Sequence, residues 1–295
     1  MNDKYSIFHI EGGLGKHIAA TAVARSIKKT HPERDLVVVC AYPEIFLNLD
    51  FVDRVYKLGM TPYFYKDFIE GCDSLIFKHE PYFTTDHIHK MSGLIENWSK
   101  LYNLDFVNEQ PELVFNIRQK QFALNKWSRE KPILLLHTNG GPIDDQPYPY
   151  SWCRDMPYSV AQALADYYAE AGFHVMQICR NDVNALKGVE VVSEKMGNME
   201  LLSLLLLSTK RILIDSSIQH AAAALNLPST VLWVATEPAV FGYTIHDNIK
   251  GNIPDTVKLP DSYLFDYNFN GLIHECPILT DTIFNVESII ESVNG

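Results

Sequence analysis

The chain has 295 residues, a length that fits two compact domains or one large one. Apolar residues make up 47% and charged residues 21%, which excludes a disordered or fibrous chain. The net charge is −11, and residues 131–295 carry most of it, with 9 basic against 19 acidic side chains. Because proteins that bind nucleic acid usually present a basic surface, nucleic acid is a poor candidate partner. The near-neutral residues 1–130, with 16 basic and 17 acidic side chains, do not exclude it.

No segment has the length and apolar character of a membrane span. The longest nearly unbroken apolar stretch, 201–207, is far shorter than the roughly 20 residues that a spanning helix needs. The first 30 residues lack a basic region followed by an apolar one, so we expect a cytoplasmic protein. The five cysteines include no Cys-x-x-Cys pair, which argues against a zinc site and a disulfide framework.

Strand and helix patterns alternate along the chain, as in α/β proteins with parallel sheets. The first unit is the clearest, with a strand over 5–10, a glycine-rich turn over 11–15, a helix over 18–29 and a strand over 36–40. A strand over 74–78 and a helix over 94–101 follow. Ligands of such sheets lie beyond the carboxyl ends of the strands, so the loops there are the informative ones.

A charged segment, 119–131, is followed by a new apolar strand over 133–137, which predicts a domain boundary between residues 130 and 131. The second half repeats the alternating pattern, so we predict two Rossmann-like, doubly wound domains, 1–130 and 131–295. The last helix, 286–293, could pack back on the first domain. The other predicted elements are helices over 159–171, 199–208 and 218–226 and strands over 174–179, 211–214 and 230–235.

The first turn combines backbone flexibility with ionisable side chains. Its glycines, Gly12, Gly13 and Gly15, allow a ligand to approach the backbone at a helix N-terminus, where negative charge is favoured. Lys16 and His17 follow directly. The spacing matches neither a Walker A loop nor the dinucleotide-binding motif, which disfavours an oxidoreductase. A purely structural turn is the alternative.

The second half offers three loops at predicted carboxyl strand ends. In the most specific one, Asp215, Ser216 and Ser217 begin a helix, with His220 one turn further on. Hydroxyl groups at this position either cap the helix or leave its free amides to a phosphate. The other two loops contribute Thr138, Asn139, Gly140, Thr236 and Glu237. The alternative interpretation of these two loops is that they are ordinary turns or ordinary packing.

Together these motifs resemble the heptosyltransferase-like glycosyltransferases, the type that uses ADP-heptose. The resemblance implies a GT-B fold, in which two Rossmann-like domains face a cleft. The first domain would bind the acceptor and the second a nucleotide diphosphate sugar. Two positions depart from the family pattern. Lys16 replaces the aspartate thought to act as catalytic base, and Arg154 is the nearest cation to the position of a phosphate-binding lysine.

The chemistry of sugar transfer needs a clamp on the leaving diphosphate and a group that takes the acceptor's proton. We expect the clamp to include Ser216, Ser217 and His220, with Lys16 or Arg154. His17 is the first candidate base, because a helix N-terminus keeps an imidazole neutral and able to accept a proton. Glu11 is the second candidate. If neither acts, the next candidates are Asp86, His87 and His89. No Asp-x-Asp triplet is present, so we expect metal-independent transfer without a cofactor.

Two other functions remain open from the sequence. The absent aspartate is compatible with a catalytically silent protein that binds a sugar nucleotide. The second is a glycosyltransferase that acts on modified bases of DNA, such as phage DNA. The near-neutral charge of the first half, together with its aromatic residues, leaves this function open. The donor sugar and the acceptor, whether a glycan, a lipid-linked sugar or another hydroxyl compound, are not fixed by the sequence. The aromatic residues of the first half on which the DNA alternative rests are Tyr63, Phe64, Tyr65, Tyr82 and Phe83.

Overall fold

The computed structural model describes residues 3–140, 153–179, 184–192, 196–254, 256–257 and 278–295. The chain divides into two compact units. The first contains residues 1–116 and 223–225, and the second contains residues 117–222 and 226–295. The second unit begins earlier than the predicted boundary because the indole N–H of Trp127 donates to the Glu200 carbonyl oxygen and to Ser203 Oγ. The charged segment before residue 131 is thus a helix of the second unit.

The first unit contains a four-stranded sheet in the order β3-β2-β1-β4, with all neighbouring strands parallel. Its main helix begins at Leu14, four residues before the predicted start. A short edge strand with charged ends, β3, was not predicted. The elements are β1 (Lys4–Ile10), α1 (Leu14–Thr30), β2 (Asp35–Cys40), β3 (Arg54–Lys57), α2 (Phe64–Phe68), β4 (Asp73–Phe77), α3 (Thr85–Ile88) and α4 (Leu94–Leu101).

Alternation along β1 gives its sheet two apolar faces. On one face Phe8 packs edge-to-face against Trp98 of α4, with ring centroids 5.5 Å apart. On the other face Tyr5 and Ile7 pack with Phe68 of α2. The glycine-rich turn begins at the carboxyl end of β1.

The second unit contains a six-stranded parallel sheet in the order β10-β9-β8-β5-β6-β7. The strands β5, β8 and β9 are therefore neighbours, as the predicted three-loop site requires. The elements are α5 (Ile117–Trp127), β5 (Ile133–His137), α6 (Tyr158–Glu170), β6 (His174–Ile178), β7 (Glu190–Val191), α7 (Asn198–Leu202), β8 (Ser208–Ile214), α8 (Ser217–Ala224), β9 (Thr230–Trp233), α9 (Pro238–Phe241), β10 (Asp247–Lys250) and α10 (Val286–Asn294).

The helix predicted over 199–208 is shorter than expected. It consists of α7 and a 3₁₀ turn, Ser203–Leu206, and β8 begins at Ser208. The Ser208 hydroxyl donates to the Leu205 carbonyl oxygen and closes this turn. A run of leucines fits helix and strand equally well, so its periodicity could not locate the break.

The last helix, α10, packs on the second unit. Its expected packing on the first unit stays a prediction. Its Ile289 is fully buried in the core that contains Tyr168 of α6. The Ser292 hydroxyl is 2.9 Å from the hydroxyl of Thr230 at the start of β9, and Lys210 of β8 donates to the Val293 carbonyl oxygen. Among the described helices, none combines the length and the apolar character needed to cross a bilayer.

Candidate functional site

The predicted loops of the second unit lie together at the carboxyl edge of its sheet. Thr138, Asn139 and Gly140 follow β5, Asp215 and Ser216 follow β8, and Thr236 follows β9. All of these residues are buried. Because β5, β8 and β9 are adjacent, their carboxyl ends bring these residues to one place, which we call the edge cluster.

Ser216 caps α8 and is held by a histidine that the sequence analysis did not select. The Nε2–H of His137 donates to the Asn139 carbonyl oxygen at 3.0 Å, so its Nδ1 accepts the Ser216 hydroxyl proton at 2.8 Å. Ser216 Oγ also accepts from the Ile218 amide at 3.3 Å. The hydroxyl is thus fixed, while Ser217 begins α8 in a half-exposed position. The first amides of a helix have no partner within it and are available to an anion.

Arg154 brings a positive charge to the same place. A Cβ atom placed on Gly140 would lie 3.5 Å from Arg154 Nε and 3.4 Å from Ser216 Cβ, so both side chains flank this glycine. Burial raises the pKa of Asp215, and the charge of Arg154 opposes that rise. The guanidinium therefore lies among the edge cluster, close to the start of α8.

A second unpredicted residue, Asp155, shapes the loop after β5. Its fully buried carboxylate accepts from Asn139 Nδ2 at 3.0 Å and from the Gly140 amide at 3.1 Å. Thr138 donates to Asn139 Oδ1 and accepts from Gln177 Nε2, each at 2.8 Å. The side chains of Thr138 and Asn139, predicted to bind a donor, thus form hydrogen bonds within the protein and hold the loop in place.

His220 and Glu237 also have partners within the second unit. His220 Nδ1 is 2.7 Å from the Tyr243 hydroxyl, and burial, aided by the nearby His246, lowers the His220 pKa to about 3. The ring is neutral and supplies no positive charge to an anion. One Glu237 oxygen is 2.9 Å from Lys250 Nζ, and the other accepts from the Ala239 amide at 3.5 Å, at the start of α9.

In the first unit, the glycine-rich turn leaves its backbone accessible. Gly12 has a φ of 97°, a left-handed conformation that favours glycine. Gly13 precedes α1 without a side-chain cap, and a Cβ atom there would meet no heavy atom within 4 Å. Gly15 lies within the first turn of α1. The free amides of this turn are thus open to approach.

Lys16 is held by groups of the first unit. Its Nζ donates to Glu80, which follows β4, and lies 5.2 Å from the ring centroid of Tyr82 and 5.4 Å from that of Trp98. Its side chain is only 8% exposed. Burial lowers the pKa of Lys16, and Glu80 raises it in opposition. The ammonium group is therefore bound to Glu80 and two aromatic rings.

His17 is fully buried, and both of its ring nitrogens have backbone partners. Nδ1 donates to the Gly13 carbonyl oxygen at 2.9 Å, and Nε2 accepts from the Ala41 amide at 3.1 Å. Burial lowers the His17 pKa, so the ring is neutral as the sequence suggested. Its position does not suit the predicted role of base, because neither nitrogen is open to an acceptor's proton.

The remaining predicted proton acceptors differ in accessibility. The Glu11 side chain is 56% exposed, and its Oε1 lies 3.7 Å from His9 Nδ1. Asp86 is paired with Lys100 at 3.6 Å, and His89 is exposed. His87 is buried, which lowers its pKa to about 4. Of the two residues predicted as bases in the first turn, Glu11 is the one that solvent reaches.

No protein-family model and no curated protein matches the chain. Solved structures do match it. The family 9 glycosyltransferase from Veillonella parvula aligns over 100% of this chain and 97% of its own, with a TM-score of 0.69 and 14% identity. The E. coli ADP-heptose LPS heptosyltransferase II aligns over 89% and 94%, with a TM-score of 0.64 and 12% identity. The E. coli heptosyltransferase WaaC with ADP aligns over 84% and 93%, with a TM-score of 0.57 and 12% identity.

At such low identities the likeness establishes the fold. Two α/β units with parallel sheets, each carrying a glycine- or serine-containing turn at a carboxyl strand end, are what the sequence predicted. The chain therefore has the fold of the heptosyltransferase-like glycosyltransferases, as its motifs indicated.

Proposed function

We propose that this chain is a glycosyltransferase that moves a sugar from a nucleotide diphosphate sugar to a hydroxyl acceptor. The main supporting observation is the position of Arg154, beside Gly140 and Ser216 at the start of α8. A guanidinium and free helix amides at one point are the groups that bind a diphosphate. The similarity to WaaC with ADP makes ADP-linked sugars the first donors to test.

In the proposed reaction, the acceptor oxygen attacks the anomeric carbon and the bond to the diphosphate oxygen breaks. Negative charge then develops on the leaving diphosphate, where Arg154 and the amides of α8 stabilise it. Ser217 donates a further hydrogen bond, while Ser216 and Asp155 keep the loops in place. Because Arg154 supplies the charge that a metal ion supplies elsewhere, we propose metal-independent transfer without a cofactor.

The first unit would supply the acceptor site and the base. We assign Lys16 and His17 positioning roles, because Lys16 is bound to Glu80 and both nitrogens of His17 are bound to backbone. This leaves Glu11 as the accessible one of the three predicted catalytic residues. The predicted cleft, the cytoplasmic location and the identity of the acceptor stay predictions.

Thermal unfolding in the presence of single ligands tests the proposal. We expect ADP or another nucleoside diphosphate, alone or as its sugar, to stabilise the protein by about 2.7 kcal/mol at 100 times its dissociation constant. The nucleosides serve as controls, since they lack the diphosphate. Stabilisation by duplex DNA at low salt, without any effect of nucleotides, would favour the DNA-modifying alternative. No stabilisation by any nucleotide would overturn the proposal.

A further inference from the structure

A cavity of about 200 Å³ lies on the face of the first sheet that contacts α2. Ile7, Val39, Phe64 and Ile76 form apolar walls, and Lys78 and His9 line the same cavity. For comparison, an apolar cavity of about 150 Å³ in another protein holds a benzene ring. This cavity is therefore large enough for an aromatic ring or a short acyl group.

The polar groups of this cavity lie at the carboxyl edge of the sheet. His9 is the residue before the last of β1, and Lys78 directly follows β4. The two strands are parallel neighbours whose paired positions end at Phe8 and Phe77, so His9 and Lys78 occupy the next positions. The glycine-rich turn begins at this same edge.

His9 has the surroundings that a proton acceptor needs. Its side chain is 18% exposed, and Nδ1 lies 3.7 Å from Glu11 Oε1. Burial lowers the His9 pKa, the charges of Lys78 and Lys16 lower it further, and those of Glu11 and Glu80 oppose them. The ring is therefore neutral at neutral pH. Because the Glu11 carboxylate near Nδ1 favours the tautomer with the proton on that nitrogen, Nε2 is the nitrogen that we assign to accept a proton.

We propose that this cavity binds the acceptor, and that His9, oriented by Glu11, takes the proton of the attacking hydroxyl. The proposal rests on the proposed function. The apolar walls fit an aromatic or acyl group of the acceptor, and Lys78 fits a carboxylate or phosphate on it. In the step, the acceptor oxygen bonds to the anomeric carbon, its proton moves to His9 Nε2, and the diphosphate leaves with the electron pair.

The first test compares His9→Gln with the matched control His79→Gln, a change at an exposed histidine of the same unit. We measure nucleoside diphosphate release from a nucleotide sugar in water, together with the dissociation constant for the donor. We expect a roughly 100-fold slower release in His9→Gln only, the usual range for a lost general base, with unchanged donor affinity. Release by His9→Gln within a few-fold of wild type would overturn the proposal. Wild-type protein that binds no donor would remove the proposed function as well.

The pH profile of release adds a readout that a purely structural role would not move. Activity should rise with pH as His9 loses its proton. Lys78→Gln removes a charge that lowers the His9 pKa, so the acid limb of the profile, where activity rises with pH, should move to higher pH. Glu11→Gln removes a charge that raises it, so the limb should move to lower pH. Unmoved limbs in both variants, with Lys16 and Glu80 intact, would contradict the assignment to His9.

The acceptor class is tested with two probes that differ in one carboxylate, 4-nitrophenyl glucuronide and 4-nitrophenyl glucoside. We expect the glucuronide to bind more tightly to wild type, Lys78→Gln to abolish the difference, and Ile76→Glu to abolish binding of both. Leu47→Glu is the control, because Leu47 is an exposed leucine outside the cavity. No saturable binding of either probe, or binding that Ile76→Glu leaves unchanged, would overturn the assignment of the cavity.

Discussion

Replacing Arg154 by Ala should lower the affinity for a nucleoside diphosphate by about 10- to 100-fold, which corresponds to roughly 1.4 to 2.8 kcal/mol. The reason is that the guanidinium beside Gly140 and Ser216 supplies a positive charge to the edge cluster, and the change would leave the phosphates with the helix amides and Ser217. Isothermal titration calorimetry with ADP, or with the nucleotide found in the thermal screen, measures the loss.

The matched control for this prediction is Arg118→Ala. Arg118 is exposed on α5 of the same unit, so the net charge changes equally without any effect on the edge cluster. An equal loss of affinity in both variants would indicate a general charge effect. Unchanged affinity in Arg154→Ala would remove Arg154 from the donor site.

Replacing His17 by Ala should lower the free energy of unfolding by about 2 to 4 kcal/mol. The substitution removes a buried ring and leaves the Ala41 amide and the Gly13 carbonyl oxygen without that partner. Denaturant unfolding measures the change, with His79→Ala as an exposed control. A variant of normal stability whose turnover number falls by roughly 10²- to 10⁴-fold would instead make His17 the base.

The difference in stability between wild type and His17→Ala should also depend on pH. Burial holds the His17 pKa below the value of about 6.5 that the residue has in the unfolded chain. Protons therefore bind the unfolded state preferentially, and the stability that neutral His17 contributes is lost as pH falls below about 6.5. The stability difference between wild type and His17→Ala should shrink towards acid pH. A constant difference between pH 7 and pH 5 would contradict the buried, neutral assignment.

Local patterns in the sequence were sufficient for the main elements of the fold. The apolar strand before Gly12, the helix after it and the strand ending at Cys40 each follow from short-range periodicity. Short-range periodicity did not predict the edge strand β3, because its limits depend on pairing with β2. It did not predict the break between α7 and β8 either, because that break depends on a turn closed by Ser208.

In the candidate site, sequence reasoning found the loops but not the partners within them. Ser216 was selected because it follows a predicted strand at a carboxyl end, and Arg154 because the family resemblance implies a phosphate-binding cation near its position. His137 and Asp155 were missed, although the former ends a predicted strand and the latter follows Arg154, because their roles depend on contacts with Ser216, Asn139 and Gly140. Such contacts across strands leave no local pattern.

The first turn shows why a difference of a few residues matters. The sequence placed the helix start at residue 18, which put His17 at the mouth of the turn before the helix. Since α1 begins at Leu14, His17 lies inside the helix on its buried side, next to the Ala41 amide at the end of β2. The same shift brings Lys16 to Glu80, which lies 64 positions further along the chain.

The release of nucleoside diphosphate from a series of nucleotide sugars, with and without EDTA, tests the proposed activity most directly. We predict release well above the spontaneous rate for at least one donor, equal rates with and without EDTA, and a strong loss in Arg154→Ala. Donor binding without release or transfer would show a silent sugar-nucleotide binding protein, and release abolished by EDTA and restored by magnesium or manganese would contradict metal-independent transfer.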